Sequence, residues 1–208
     1  MTKNNQLFSR IVFLGIFVLA VILVFWIGRV ISQKGSGNST AVGNFEKGKV
    51  VLVEYADFQC PACGLYYPLV KQLKSESGDK MEVVFKHFPL KSIHKNADLA
   101  SRASEAALIQ GKFWEMHDIL FEKQNEWSNS GQARSLFTAY AVSLGMNQQK
   151  FVDDIDSDSV KERVNSDYQE GVGLRVNGTP TLFLNGKKIT NPRSYDEFKK
   201  LIQDQINK

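Results

Sequence analysis

The chain contains two cysteines, Cys60 and Cys63, separated by the dipeptide Pro61-Ala62. A pair at this spacing can close a small, easily opened disulfide when a helix starts at the first cysteine. The run before the pair is apolar and rich in β-branched residues, and the run after it is compatible with a helix. The first sulfur then lies at the positive end of the helix dipole, which favours thiolate over thiol. The pattern predicts thiol–disulfide exchange, with a Cys60–Cys63 disulfide as the oxidised state.

A Cys-x-x-Cys pair can also form half of a zinc site, which usually has four ligands. The chain has no third cysteine, and its histidines, His87, His94 and His117, lack the spacing of a zinc-binding pair. We therefore expect no bound metal, and we interpret all three histidines as structural. A metallochaperone that uses the cysteine pair stays open as an alternative from another functional class.

An uncharged apolar stretch, residues 11–27, lies near the N-terminus between Arg10 and Arg29. Together with neighbouring apolar residues it is long enough for a transmembrane helix, which we predict over residues 11–31. The residues that follow it are bulky, whereas a signal peptidase requires small ones. We therefore expect an uncleaved, single-pass membrane anchor.

The chemistry of the cysteine pair favours one orientation of this anchor. Disulfides persist outside the cytosol, so we expect residues 1–10 to be cytoplasmic and the redox domain to be extracytoplasmic. Basic residues flank the span on both sides and add only a slight bias. Residues 32–44 are rich in Gly, Ser and Asn and are predicted to form a flexible linker. The folded domain is then residues 45–208.

The formal net charge of +4 belongs to the N-terminal segment. The rest of the chain has equal numbers of basic and acidic residues, so the charge gives no support for nucleic-acid binding. No glycine-rich nucleotide-binding motif is present, and we expect no organic cofactor. The four basic residues that carry the net charge are Lys3, Arg10, Arg29 and Lys34.

The hydrophobic pattern of the domain predicts strands at both ends and helices between them. Strands are predicted near Val50–Tyr55 and over Met81–His87, with the helix of the cysteine pair between them ending at about Ser77. A hairpin with an Asn185-Gly186 turn and a final helix complete the domain. This order indicates an α/β domain with a helical insertion at about residues 93–172. Its helices are predicted over Ala97–Gln110, Lys112–Gln124, Gln132–Leu144, a segment capped by Asn147 through Ile155, and a segment capped by Asp158 from Ser159 to about Glu170; the final helix is Tyr195–Ile206.

Glu54 lies in the first strand, six residues before Cys60. Strand alternation puts Leu52, Glu54 and Ala56 on one face, which suggests that Glu54 is buried beneath the cysteine pair. A buried carboxyl has a raised pKa and can relay a proton to or from Cys63. An ordinary glutamate on an edge strand is the alternative interpretation.

Three motifs in this order resemble the thioredoxin superfamily, and more closely its DsbA-type thiol–disulfide oxidoreductases. They are VLVEYADFQCPAC at residues 51–63, FKHFPL at residues 85–90 and GTPTLFLNG at residues 178–186. The resemblance covers about residues 45–206. It implies a thioredoxin-like fold whose helical insertion lies between the βαβ and ββα parts.

The resemblance also implies roles for individual residues. Cys60 corresponds to the exposed nucleophile and Cys63 to the buried resolving thiol, and Pro61-Ala62 is the dipeptide that tunes the reduction potential. The sequence departs here from the CPHC pattern of the most oxidising members. Since Ala62 cannot donate a hydrogen bond to the thiolate, we expect a weaker oxidant than those members.

The third motif implies a substrate-binding feature. Pro180 corresponds to the cis-proline of the superfamily, which leaves the Thr179 backbone able to pair with an extended substrate. An ordinary turn proline would be the interpretation without the cysteine motif.

The expected function is the introduction of disulfides into secreted or cell-surface proteins. As partners, the resemblance implies unfolded proteins with free thiols and a membrane quinone-linked reoxidase of the DsbB-like or VKOR-like kind. The same chemistry in the opposite direction, as a reductase or isomerase, is the nearest alternative.

Overall fold

In the computed structural model, which describes residues 48–208, strand β1, Val50–Ala56, is a central strand of a four-stranded sheet. It pairs in parallel with β2, Met81–His87, and antiparallel with β3, Thr181–Leu184. The strand order is β2-β1-β3-β4, with β4 formed by Lys187–Lys188. Helix α1, Pro61–Ser77, crosses between the two parallel strands, as a parallel pair requires.

The predicted hairpin between β3 and β4 is confirmed. Its turn residues Asn185 and Gly186 both have positive φ angles, 47° and 74°, which suits the favoured two-residue turn. The Asn185 side chain also accepts a hydrogen bond from the Val51 amide at 2.9 Å. The turn therefore fastens the hairpin to β1.

A block of helices separates β2 from β3. This arrangement confirms the α/β architecture with a helical insertion that the sequence predicts. The helices of the insertion are α2, Ala97–Ile109; α3, Phe113–Glu122; α4, Gln124–Trp127; α5, Ala133–Ser143; α6, Gln148–Asp154; and α7, Asp158–Gly173; the last helix, α8, is Tyr195–Ile206.

Two details of the predicted insertion are wrong. The helix predicted over Lys112–Gln124 ends at Glu122, because Lys123 leaves helical geometry and a separate short helix follows. Asp158 does not cap α7. The extended residue before that helix is Ser157, whose side chain accepts the Val160 amide, while Asp158 is already in the first turn. The predicted cap at Asn147 is confirmed by its bond from the Lys150 amide.

Side chains of β1 alternate between the two faces of the sheet. Leu52 packs with Leu73 of α1 and Phe198 of α8, whereas Val53 and Tyr55 pack on the opposite face. The alternation puts Glu54 on the same face of the sheet as Leu52, the face that packs against α1, as the sequence predicts. Burial of apolar side chains on both faces fixes the carboxyl end of β1, where the cysteine pair begins.

The predicted cytoplasmic segment, anchor and linker, residues 1–44, lie outside the described residues. Within residues 48–208, no helix combines the length and apolar character needed to cross a membrane.

Candidate active site

Cys60 is the residue immediately before α1, and Pro61 occupies the first turn of the helix. The backbone of Cys60 is extended, with φ −70° and ψ 122°, as a residue at this position requires. Proline suits the first turn because its missing N–H would have no partner there. Cys60 is only 8% exposed, so it is more buried than the exposed nucleophile that the resemblance implies, and Cys63, one turn further on, is fully buried. Both are free thiols in the structure.

The sulfur of Cys60 is surrounded by groups that stabilise its thiolate. The hydrogen bond from the Cys63 thiol is the largest cause, and it lowers the pKa of Cys60 to about 5. The backbone amides of Cys63 and Ala62 act in the same direction, against the opposing effect of burial. At neutral pH the group is therefore a thiolate, the reactive form of cysteine.

Cys63 has the opposite character. Burial, followed by its hydrogen bond to Cys60, raises the pKa of the Cys63 thiol well above its ordinary value, and the nearby Glu54 acts in the same sense. The backbone N–H of Asp57 donates to the Cys63 sulfur at 3.5 Å and favours the thiolate. The two sulfurs thus differ sharply in acidity although two residues separate them.

Glu54 is buried, and burial raises the pKa of its carboxyl to about 7. Within the described part of the chain, its Oε1 atom has no hydrogen-bond partner. Glu54 also lines a cavity of about 590 Å³ bounded by residues of α1, β2 and α3. A carboxyl in this position can exchange a proton with Cys63 on one side and with the cavity on the other. Other residues that line the cavity include Tyr67, Lys71, Lys74, Trp114 and His117.

The segment before β3 lies against the cysteine pair. The Thr179–Pro180 peptide bond is cis. The Cys60 sulfur lies 3.4 Å from the Thr179 carbonyl oxygen, which can accept a hydrogen bond from the protonated thiol but not from the thiolate. The Asn191 side chain donates to the Pro180 carbonyl at 2.7 Å and helps to hold this segment. The structure therefore brings together all the residues that the sequence singles out for exchange chemistry.

Asp57 is a residue of this site that sequence reasoning missed. Its buried carboxylate accepts hydrogen bonds from the amides of Gln59 and Leu90 and from the His94 ring. The sequence signal that could have identified Asp57 is its position, directly after a buried strand and three residues before Cys60. His94, interpreted as structural from the sequence, lies next to the site through this contact.

A second missed feature is a set of side-chain amides that fasten the site to the helical insertion. Gln124 of α4 donates to the carbonyls of Phe58 and Cys60, at 2.7 and 3.0 Å. Gln59 donates to the Ser128 carbonyl at 2.8 Å and accepts the Asn96 amide at the same distance. No periodic sequence signal identifies such contacts, because each joins an isolated polar residue to distant backbone.

His87 is a core residue, as expected. It is buried and contacts Glu105 at 2.9 Å, and Glu105 also pairs with Arg163. His117 is buried in an aromatic cluster with Phe85 and forms a contact with Asp118. Among residues 48–208, no group of three or more His, Cys, Asp or Glu side chains is arranged to hold a metal ion.

Comparison with known proteins adds a family match. A family described as Thioredoxin matches residues 36–204 of the chain. Among curated proteins, the Na(+)/H(+) antiporter NhaA 1 of Mycolicibacterium vanbaalenii is 40% identical over 147 residues, which is 69% of this chain and 23% of the antiporter. The NhaA antiporter of Herminiimonas arsenicoxydans is 35% identical over 151 residues, again 23% of its length. The chain thus spans less than a quarter of these relatives.

Solved structures share the fold. BdbD from Bacillus subtilis has a TM-score of 0.69 and 24% identity, covering 80% of this chain and 92% of BdbD. Wolbachia pipientis alpha-DsbA1 has a TM-score of 0.67 and 19% identity, covering 83% and 92% of the two chains. DsbA from Xylella fastidiosa has a TM-score of 0.63 and 18% identity, covering 77% and 85%.

Proposed function

The chain belongs to the thioredoxin family as a thiol–disulfide oxidoreductase with a DsbA-like fold, and we propose that it introduces disulfide bonds into secreted or cell-surface proteins. The observation that carries this proposal is the asymmetry of the two sulfurs, a stabilised thiolate at Cys60 and a buried thiol at Cys63. A stabilised thiolate favours the reduced form of the pair. The oxidised form therefore tends to pass its disulfide to other proteins.

Cys60 is the sulfur that the substrate attacks in the proposed reaction. A substrate thiolate attacks the Cys60 sulfur of the Cys60–Cys63 disulfide, and the electron pair of that bond goes to Cys63. This step leaves a mixed disulfide between substrate and Cys60. A second substrate thiolate then attacks the substrate sulfur, which releases an oxidised substrate and the Cys60 thiolate. Two electrons pass from substrate to enzyme, and Pro61-Ala62 adjusts how readily they do so.

Glu54 supplies the proton that Cys63 needs. Because the pKa of Cys63 is raised well above the ordinary value, its departing sulfur takes up a proton. Glu54, with a pKa raised to about 7, can provide that proton at neutral pH and recover it through the adjacent cavity. We assign it the role of general acid in this direction and of general base when the enzyme is reoxidised.

The Thr179–Pro180 segment is the proposed binding site for the substrate backbone. The carbonyl oxygen of Thr179 lies 3.4 Å from the Cys60 sulfur, so a peptide paired with this segment carries its own cysteine to the reacting atom. The contact selects an extended, unfolded segment rather than a particular sequence. Unfolded proteins with free thiols are therefore the proposed substrates.

The cellular setting is proposed from the sequence. Residues 11–31 anchor the chain in the membrane, residues 1–10 are cytoplasmic, and residues 32–44 tether the extracytoplasmic domain of residues 45–208. A quinone-linked membrane protein of the DsbB-like or VKOR-like kind reoxidises the pair. We do not propose ion transport for this chain, because the chain matches only 23% of the length of the antiporter relative.

Catalysis of oxidative folding tests the proposal. The oxidised full chain is mixed with a reduced, unfolded protein that needs several disulfides, and the recovery of substrate activity is followed. We expect recovery with the wild type and none with Cys60→Ser, whereas Cys63→Ser should accumulate mixed disulfides with substrate. A chain that only reduces preformed disulfides would favour the reductase alternative. Stoichiometric metal retained on Cys60 and Cys63 would favour the metallochaperone.

A further inference from the structure

Asp57, the first residue after β1, contacts both cysteines through its backbone. Its N–H donates to the Cys63 sulfur at 3.5 Å, and its carbonyl accepts the Cys60 N–H at 3.0 Å. The orientation of this one residue therefore affects both reacting groups. Neither contact involves the Asp57 side chain, which is free to make other hydrogen bonds.

The Asp57 carboxylate is fully buried and has three donors. Its Oδ1 atom accepts the Gln59 amide at 2.7 Å. Its Oδ2 atom accepts the Leu90 amide at 2.8 Å and contacts His94 Nδ1 at 2.7 Å. A buried charge is tolerated only when it is well hydrogen-bonded, so these three donors fix the carboxylate and, with it, the backbone of Asp57.

His94 is the side-chain donor of this set, and its side chain is only 16% exposed. Oδ2 of Asp57 already accepts the Leu90 amide, so we assign the hydrogen of the contact with His94 to Nδ1. The His94 amide bonds to the Leu90 carbonyl at 2.9 Å, and this turn presents both donors to Oδ2. The contact joins the segment after β2 to the segment before Cys60.

We propose that His94 is a positioning residue for the exchange reaction, which acts through Asp57 to hold the Asp57 N–H on the Cys63 sulfur. This inference rests on the proposed function. When a thiolate attacks Cys60 of the disulfide, the electron pair of the broken bond goes to Cys63. When the pair closes again, the Cys63 thiolate attacks Cys60 and expels the other sulfur. Cys63 carries negative charge in both steps, and a fixed N–H donor stabilises it.

The test measures how fast the enzyme closes its own disulfide. Oxidised glutathione converts the Cys60 thiolate of the reduced full chain to a mixed disulfide, and Cys63 then attacks Cys60 and releases glutathione as a thiolate. The closing rate of the wild type is compared with His94→Gln and His94→Asn. Asparagine can put an amide N–H where Nδ1 lies, whereas the longer glutamine side chain puts its amide near the Nε2 position.

We expect His94→Gln to slow closure about fivefold, as for the loss of one hydrogen bond, and His94→Asn to stay within about twofold of the wild type. Asp57→Asn is a second test. It keeps the acceptor for Gln59 but turns a donor toward Leu90 and His94, so it should slow closure at least as much as His94→Gln. Asn147→Ala, which removes the cap of α6, serves as a control for general loss of stability.

Unchanged closure in His94→Gln would overturn the inference. Equal slowing in the two His94 variants would also overturn it, because the imidazole rather than its contact with Asp57 would then be responsible. If Asn147→Ala slowed closure by the same factor, the effect of His94→Gln would reflect a general loss of stability, and His94 would have only a structural role. A wild-type chain that never closes its mixed disulfide would contradict the proposed function itself, which this design distinguishes from failure of the His94 comparison.

Discussion

The Cys60 sulfur lies 3.4 Å from the Thr179 carbonyl oxygen, although 119 residues separate them in sequence. Folding thus puts the start of α1 against the segment that precedes β3. The contact brings a reactive sulfur next to backbone that can pair with another chain. The proposed substrate-binding segment and the reacting sulfur are therefore adjacent, and each is open to a separate test.

The acidity of Cys60 can be measured from its reaction with iodoacetamide. Because the Cys63 thiol is the largest cause of the lowered pKa of Cys60, the rate in the reduced wild type should follow a titration with a pKa of about 5. The Cys63→Ala variant should titrate at a higher pH. An unchanged profile in Cys63→Ala would show that the backbone amides, rather than the second cysteine, stabilise the thiolate.

Because of Glu54, we predict that the free energy of unfolding falls as pH rises. Burial raises its pKa from 4.5 to about 7, so the folded state keeps a proton that the unfolded state releases between these values. The folded state binds more protons in this window, and stability falls as pH increases, by roughly 3 kcal/mol in total. Glu54→Gln removes the titration and should be the more stable protein above pH 7.

Denaturant unfolding between pH 4.5 and 8 checks this prediction. The measurement is made in a Cys60→Ala background, because the lowered pKa of Cys60 has the opposite effect on stability. Parallel pH profiles for this background with and without the Glu54→Gln substitution would mean that Glu54 does not titrate in this range. In the exchange reaction, Glu54→Gln should slow turnover without impairing folding.

Two glycines of α7 form a matched pair for a packing prediction. A Cβ at Gly171 would lie 2.7 Å from a ring carbon of Phe88 and 3.0 Å from Tyr55, whereas a Cβ at Gly173 would meet nothing within 4 Å. Gly171→Ala should therefore destabilise the fold by about 1–3 kcal/mol. Gly173→Ala should be neutral or stabilise by up to about 1 kcal/mol. Equal free energies of unfolding for the two variants would contradict the packing argument.

The sequence predicts the elements that periodicity describes. Met81–His87 alternates and is a strand, and Tyr195–Ile206 is amphipathic and is a helix, with the predicted bounds. Burial of Glu54 also follows from alternation, because a strand puts every second residue on one face. These features depend on short-range spacing in the chain, which can be read without a structure.

The polar contacts of the site could not be predicted in the same way. His94 meets Asp57 across 37 residues, and Gln124 reaches the Cys60 carbonyl across 64. Each contact depends on how a loop or short helix packs in three dimensions. Hydrophobic spacing carries no information on such pairs, so the sequence indicates the cysteines and not the residues that hold them.

The most direct test of the proposed function is the reduction potential of the Cys60–Cys63 pair, measured on the full chain by equilibration with glutathione. The lowered pKa of Cys60 stabilises the reduced form, and Ala62 lacks the donor of the most oxidising members. We therefore predict a reduction potential between those of thioredoxin and DsbA, at roughly −200 mV against about −270 and −120 mV. A value at or below that of thioredoxin would contradict the oxidase and assign the chain to the reductases.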